Sequence, residues 1–142
     1  MSDEKMELTL KQKIAPYELK QGEPYMNDKQ LKHFKNILEQ WKDQLMRIVD
    51  QTISELQQTD VSADPNDRAT QEEEFNVKLR TRDRERKLLK KIEETLNQID
   101  EKEYGYCETC GVDIGIRRLE ARPTATLCID CKSLAEIKEK RS

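Results

Sequence analysis

Aromatic residues are scarce in this 142-residue chain, at 5%, and hydrophobic residues of every kind make up only 35%. That is too little apolar material to fill one compact ball of this length. No apolar run approaches the roughly 20 residues that a membrane-spanning helix requires. The N-terminal Met1-Ser-Asp-Glu-Lys-Met-Glu has acids where a secretory signal needs cations and an apolar stretch, so the expected location is the cytoplasm. A Gly-rich phosphate loop, a nucleophile elbow and a His-carboxylate metal motif are all missing, and no enzymatic activity is expected. An excess of positive charge is missing too, with 26 Lys and Arg against 29 Asp and Glu for a net charge of −3. A protein that grips nucleic acid by counterion release is usually basic, which argues against direct, sequence-specific DNA binding. The single histidine, His33, stands far from every other candidate ligand in the sequence and is expected to have no functional role.

What the chain has in quantity is charge, at 39%. Elongated helices suit such a composition, because a narrow apolar stripe suffices and the other faces are solvated. All four cysteines lie near the C-terminus as two Cys-x2-Cys knuckles, Cys107 with Cys110 and Cys128 with Cys131, separated by 17 residues. Each knuckle lets two thiolates on one turn reach a single ion, and two knuckles complete the tetrahedral shell of structural Zn²⁺. Disulfides or free thiols are the alternative, disfavoured in a reducing compartment. Four cysteines leave no open coordination position, so one zinc is expected to hold structure rather than to catalyse.

Residues 1–26 lack sustained periodicity and carry Pro16, Gly22 and Pro24, as expected of a tail with short ordered pieces packed through Ile14, Tyr17 and Tyr25. Asn27 is a good N-cap, Gln30 stands at N3 as in a capping box, and Met26 can staple onto Leu31. Leu31, Phe34, Leu38, Trp41, Leu45 and Ile48 then recur at alternating steps of three and four, the seam of a coiled coil. Val49, Ile53 and Leu56 continue it with a shift in phase, to about Thr59. Turn-forming residues follow, and a second stripe runs through Phe75, Leu79, Leu89, Ile92, Leu96 and Ile99, with Arg82 and Arg86 on its seam. Two stripes of similar length joined by a short connection predict an antiparallel hairpin over 27–103, with its tip at 60–69. Arms of roughly 32 residues, at about 1.5 Å each, make a rod of about 48 Å.

Residues 104–142 are expected to form a small globular base. Val112, Ile114, Ile116 and Leu119 suggest a β-hairpin between the knuckles, and Leu134 and Ile137 among Lys132, Lys138, Lys140 and Arg141 suggest a C-terminal helix. The fold class is therefore mainly α: a long antiparallel coiled-coil hairpin on a small globular base that contains a four-cysteine zinc finger and a final helix.

The rod's far end carries Asp64-Pro-Asn-Asp67-Arg-Ala69. Helix chemistry alone accounts for these acids, with Asp64 as N-cap, Pro65 at N1 and Asp67 at N3 beside the positive end of the dipole. A rod that ends in exposed carboxylates also suits delivery of negative charge into a narrow basic cavity.

These stretches resemble the DksA/TraR family of bacterial transcription factors. The resemblance rests on Tyr25-Met-Asn, Asp64-Pro-x-Asp-Arg-Ala, Gln71-Glu-Glu-Glu-Phe, Arg82-Asp-Arg-Glu-Arg-Lys, Gly105-Tyr-Cys-Glu-x-Cys-Gly-Val, Ile114-Gly-Ile-Arg-Arg-Leu-Glu-Ala-Arg-Pro-Thr-Ala and Leu127-Cys-Ile-Asp-Cys-Lys. It covers the chain from about residue 23 onward. It implies a monomer that inserts its hairpin into the secondary channel of RNA polymerase, placing Asp64, Asp67 and neighbouring Ala69 near the polymerase active site. It also implies action with guanosine tetraphosphate (ppGpp), contacted at the polymerase interface by Leu88, Lys91, Arg122 and Lys132. Inhibition of ribosomal RNA promoters and activation of others, such as those for amino-acid biosynthesis, belong to the same stringent-response role.

Without that resemblance, a zinc-ribbon adaptor that pairs its coiled coil with another protein would fit the same residues. The cations Lys78, Arg80, Arg82, Arg84, Arg86, Lys87, Lys90 and Lys91 spread around every face of the second helix. They are expected to pair across the hairpin with Glu39, Asp43 and Asp50 rather than to bind DNA. Trp41, on the apolar seam, is expected in the core.

Overall fold

The computed structural model describes residues 14–57 and 64–141. The expected tail before residue 14 and the turn at 60–63 lie outside the described residues. The described residues form four helices in order: α1 (Asp28–Gln57), α2 (Pro65–Asp100), α3 (Ile116–Ala121) and α4 (Ile129–Arg141).

Helix α1 starts where its capping residues require. The Gln30 N–H donates to Asn27 Oδ1 at 2.9 Å, and Gln30 Oε1 accepts at 2.6 Å from the N–H of Met26, one residue before the N-cap, a capping box displaced by one residue on its return bond. Met26 and Leu31 are both buried in the core, consistent with a staple. Helix α2 opens on Asp64, whose side chain accepts from the Asn66 N–H at 3.0 Å, with Pro65 at the first helical position. Within the described residues, α1 covers 30 residues and α2 covers 36.

Three contacts fix the arms as antiparallel neighbours. Lys35 Nζ lies 3.1 Å from Asp100 Oδ1, Lys42 Nζ lies 3.7 Å from Glu93 Oε1, and Thr52 Oγ1 lies 3.4 Å from Glu85 Oε2. The ion pairs between the arms, among the described residues, thus run from cations of α1 to acids of α2, opposite to the expected pairing. Glu39, Asp43 and Asp50 are instead exposed.

The phase of the second stripe also differs from expectation. Glu85, Leu88, Ile92, Thr95 and Ile99 are the buried residues of α2, while Arg86 is exposed and Arg82, Leu89 and Leu96 are half-buried. Stepping by three and four from Ile99 back to Leu88 leads to Glu85, so the face that meets α1 lies one residue away from the row containing both arginines. On α1 the expected seam holds, with Phe34, Leu38, Trp41 and Leu45 fully buried. Each such side chain contributes about 1.5–3 kcal/mol by leaving water.

The core extends from the hairpin root into the cysteine-bearing base, joining Phe34 and Leu38 to Tyr104, Ile114, Leu119, Cys107 and Cys128. The Phe34 and Tyr104 rings stand 5.7 Å apart, and the Tyr104 hydroxyl donates to the Pro123 carbonyl at 2.7 Å. The Tyr25 hydroxyl donates to the Gly105 carbonyl at 2.6 Å and accepts from the Gly115 N–H at 3.0 Å. Gly105 has φ +97, and a Cβ there would stand 2.8 Å from Met26 Cγ, so both backbone conformation and space favour glycine.

The β-hairpin expected between the knuckles is not formed. A single antiparallel bridge joins Tyr106 and Asp113, and Ile116–Ala121 is helical. Ile116 and Leu119 are three apart, a separation that also puts two side chains on one face of a helix, and both are buried. The C-terminal helix forms as expected, with Lys138, Lys140 and Arg141 in its last turn and no buried residue. No helix among the described residues is long and apolar enough to cross a membrane.

Candidate metal centre and acidic tip

The Sγ atoms of Cys107, Cys110, Cys128 and Cys131 all lie within 4.8 Å of one another. Tight turns bring them there. The Cys107 N–H donates to the Val112 carbonyl at 2.8 Å, and the Gly111 N–H donates to the Cys107 carbonyl at 2.9 Å. Gly111 closes that turn at φ +77, in the left-handed region where glycine is unstrained. The second knuckle sits at the entrance to α4, where the Cys131 N–H points at Cys128 Sγ from 3.5 Å. Arg118 of α3 braces the approach, its Nε donating to the Leu127 carbonyl at 2.9 Å.

The donor set fits zinc. Zn–S bonds of about 2.3 Å in a tetrahedron put the sulfurs about 3.8 Å apart, and Cys110 Sγ stands 3.7 Å from Cys128 Sγ. N–H groups of the Cys128 and Cys110 backbone hold the Cys107 thiol down to about 6. Hydrogen bonding of the Cys131 thiol to the Cys128 sulfur, and then to those of Cys110 and Cys107, pushes Cys131 up to about 12. Four sulfurs this close do not all ionise unless a cation stands among them, and a divalent ion supplies that charge. Cys107 and Cys128 are buried, Cys131 is half-buried and Cys110 is exposed, so the centre belongs to the core on one side and meets solvent on the other.

At the other end, Asp64, Asp67 and Ala69 are all exposed. Asp64 accepts within its own turn, and its carbonyl receives the Arg68 N–H at 2.8 Å. Asp67 occupies the first turn of α2, where the helix dipole favours an anion.

The four residues implied for ppGpp fall into two groups. Lys91 on α2, Arg122 just after α3 and Lys132 on α4 are exposed, whereas Leu88 is only 7% exposed in the root core. Lys132 Nζ approaches Glu136 Oε1 at 3.9 Å, a surface pair worth about 0–1 kcal/mol. On α2, Asp83, Arg86, Lys87, Leu89, Lys90 and Glu93 line an open surface groove of about 420 Å³. Part of the expected basic run therefore faces solvent.

His33 is the residue the sequence undervalued. Its Nε2 lies 2.6 Å from Glu120 Oε1, the same oxygen that accepts the Tyr17 N–H at 2.8 Å. The contact joins α1 to α3, and the Tyr17 ring lies tilted against the His33 ring, with centroids 5.4 Å apart. A lone histidine 87 residues from its partner carries no local signal of this.

Comparison with known proteins agrees with these features. Residues 30–99 match the family model described as DnaK suppressor protein DksA, N-terminal domain, and residues 102–136 match the prokaryotic dksA/traR C4-type zinc finger. The chain is 61% identical over 129 residues to the RNA polymerase-binding transcription factor DksA of Salmonella typhimurium, covering 90% of this chain and 85% of that protein. The protein of the same name from Escherichia coli K12 is 60% identical with the same coverage. Among solved structures, transcription factor DksA2 from Pseudomonas aeruginosa matches with a TM-score of 0.76 and 38% identity, over 82% of this chain and 90% of that one. With its helical hairpin, its clustered cysteines and these relatives, the chain belongs to the DksA/TraR family and carries that family's C4-type zinc finger.

Proposed function

We propose that this protein is a transcription regulator that binds RNA polymerase, enters the secondary channel with the end of its hairpin, and acts there through Asp64 and Asp67, with Ala69 beside them. The observation that carries the reading is the position of two exposed carboxylates at the end of a helix of 36 residues, about 54 Å at 1.5 Å each. Such a helix reaches a site that the base cannot enter. Relatives about 60% identical over 90% of the chain are named for polymerase binding. The acidic end has a physical use there, because anions delivered into a basic, water-poor channel interact far more strongly than in bulk water.

Zinc has a structural part in this reading. Cys107, Cys110, Cys128 and Cys131 hold one ion that closes the base and fixes the hairpin root, and no catalytic group is involved. The protein works as a cytoplasmic monomer without sequence-specific DNA contacts. ppGpp is its effector, bound where the base meets polymerase. The exposed cations Lys91, Arg122 and Lys132 suit its pyrophosphates, and Leu88 contributes at the edge of the core. The outcome is inhibition of ribosomal RNA promoters and activation of others, such as those of amino-acid biosynthesis.

In vitro transcription with purified polymerase tests this. Asp67→Asn should fold and bind polymerase like the parent while losing inhibition at a ribosomal RNA promoter. Full inhibition by that variant would sink the tip mechanism. Adding ppGpp should strengthen inhibition by the parent, and less so by a variant with Lys91 and Arg122 changed to Ala.

A further inference from the structure

The hairpin changes character part-way along its length. Fully buried side chains stop at Leu45 on α1 and begin at Glu85 on α2. Farther out, Val49, Ile53, Leu56 and Leu79 are only half-buried. At the boundary the seam position goes to a carboxylate, Glu85, which is 5% exposed. Its contact across the hairpin is poor. Thr52 Oγ1 lies 3.4 Å away, yet the same hydroxyl donates to the Ile48 carbonyl at 2.9 Å, and a hydroxyl has one proton to give. Glu55, on the facing helix, adds like charge. One turn outward, Arg82 Nε is buried with no hydrogen-bond partner among the described residues.

Poorly matched polar groups therefore occupy successive turns of the seam where its buried inner part gives way to a half-buried outer part. Burial penalises the charged form of Glu85 and raises its pKa, as expected for a carboxyl held without a strong donor. A polar residue at a single seam position costs stability but fixes register and weakens the coil locally. Both consequences bear on the segment that lies beyond it.

We propose that Glu85, with Thr52 and Arg82, forms a positioning layer at which the outer half of the hairpin opens and closes independently of the root, so that the end bearing Asp64 and Asp67 adapts to the site it enters. The opening itself depends only on the seam, while its use by the tip rests on the function proposed above. Glu85 acts through the tip and touches no substrate.

Native-state hydrogen exchange on the zinc-loaded, full-length chain, without polymerase, tests the opening. Amides of 46–57 and 69–84 should exchange at least about tenfold faster than those of 31–45 and 85–99, as separate cooperative units do. Glu85→Leu should slow the outer set by about tenfold or more, since it continues the apolar seam. Ile92→Val, a mild change at the root, should speed exchange of the root set and leave the outer set unchanged. Equal exchange of both sets in the parent overturns the proposal, as does an outer set that Glu85→Leu fails to slow. Transcription separates the positioning role from simple stability. Glu85→Leu should bind polymerase normally yet inhibit a ribosomal RNA promoter several-fold less well. Parent-like inhibition by Glu85→Leu overturns the positioning role if Asp67→Asn has lost inhibition. If Asp67→Asn also inhibits normally, the functional reading fails instead, and the exchange data still decide the opening.

Discussion

The two ends of the molecule are held by different physics. At the base, side chains meet partners far away in sequence: Tyr17 reaches Glu120 across 103 residues, Tyr25 reaches Gly115 across 90, and His33 reaches Glu120 across 87. Four cysteines from two knuckles close the same region. At the tip, residues 64–70 are all exposed, and the bonds from Asn66 and Arg68 to Asp64 and from Thr70 to the Asn66 carbonyl each span four residues or fewer. Stability is thus concentrated at one end and the proposed working groups at the other. Substitutions at the two ends should dissociate folding from regulation, and the size of that dissociation measures how far the division holds.

The largest effect is expected at the zinc. Structural zinc contributes an apparent ~10–16 kcal/mol in finger peptides at neutral pH, so Cys110→Ser or exhaustive chelation should unfold the base. Near-ultraviolet circular dichroism and a thermal melt would report it as loss of the Tyr104 environment and of a cooperative transition. Acid should act in the same direction, because protons compete with the ion for thiolates. A chelated protein that melts as cooperatively as the loaded one would break the comparison, since the base would then owe nothing to metal.

Elements governed by local rules were legible in the sequence. The caps at Asn27 and Asp64 and the seam of α1 follow from hydrogen bonds and spacing within a few residues, and the paired knuckles announced the metal site. The phase of α2 was not legible, because the row through Leu79, Arg82, Arg86 and Leu89 and the row through Glu85, Leu88 and Ile92 both repeat by three and four. Only the position of α1 selects between them. Counting apolar residues favoured the wrong row at its outer end, where the true seam holds a carboxylate. For α3, Ile114, Ile116 and Leu119 satisfied a strand-like and a helix-like spacing at once. The Arg118 contact with Leu127 and the turn at Gly115, with φ +101, accompany the helical solution. His33 and Glu120 were invisible as a pair because nothing local requires either.

A smaller effect is expected in the root core. Trp41 is 1% exposed, so Trp41→Ala should cost about 3–5 kcal/mol, read as a lower urea midpoint. Its Nε1 has no hydrogen-bond partner among the described residues, so the ring is held by packing and not by its polar edge. Trp41→Phe should therefore cost much less than the alanine substitution. Equal losses in the two variants would show that a smaller ring recovers none of the packing and that the site demands the full indole shape.

The smallest effect on stability, and the most informative one, is expected at Asp64. Its carboxylate is both a cap for α2 and a proposed working anion, and two substitutions separate these roles. Asparagine caps as well as aspartate, whereas alanine forfeits about 0.5–2 kcal/mol of local helix stability. Asp64→Asn should leave the first turn of α2 intact, and Asp64→Ala should fray it, as amide exchange over 65–70 would show. Global melting should hardly move in either case, because this turn buries nothing. If charge at the tip is what acts on polymerase, both variants lose promoter inhibition to the same extent. If Asn retains inhibition and Ala loses it, Asp64 serves by holding the helix end that presents Asp67, and the working charge of the tip reduces to that one residue.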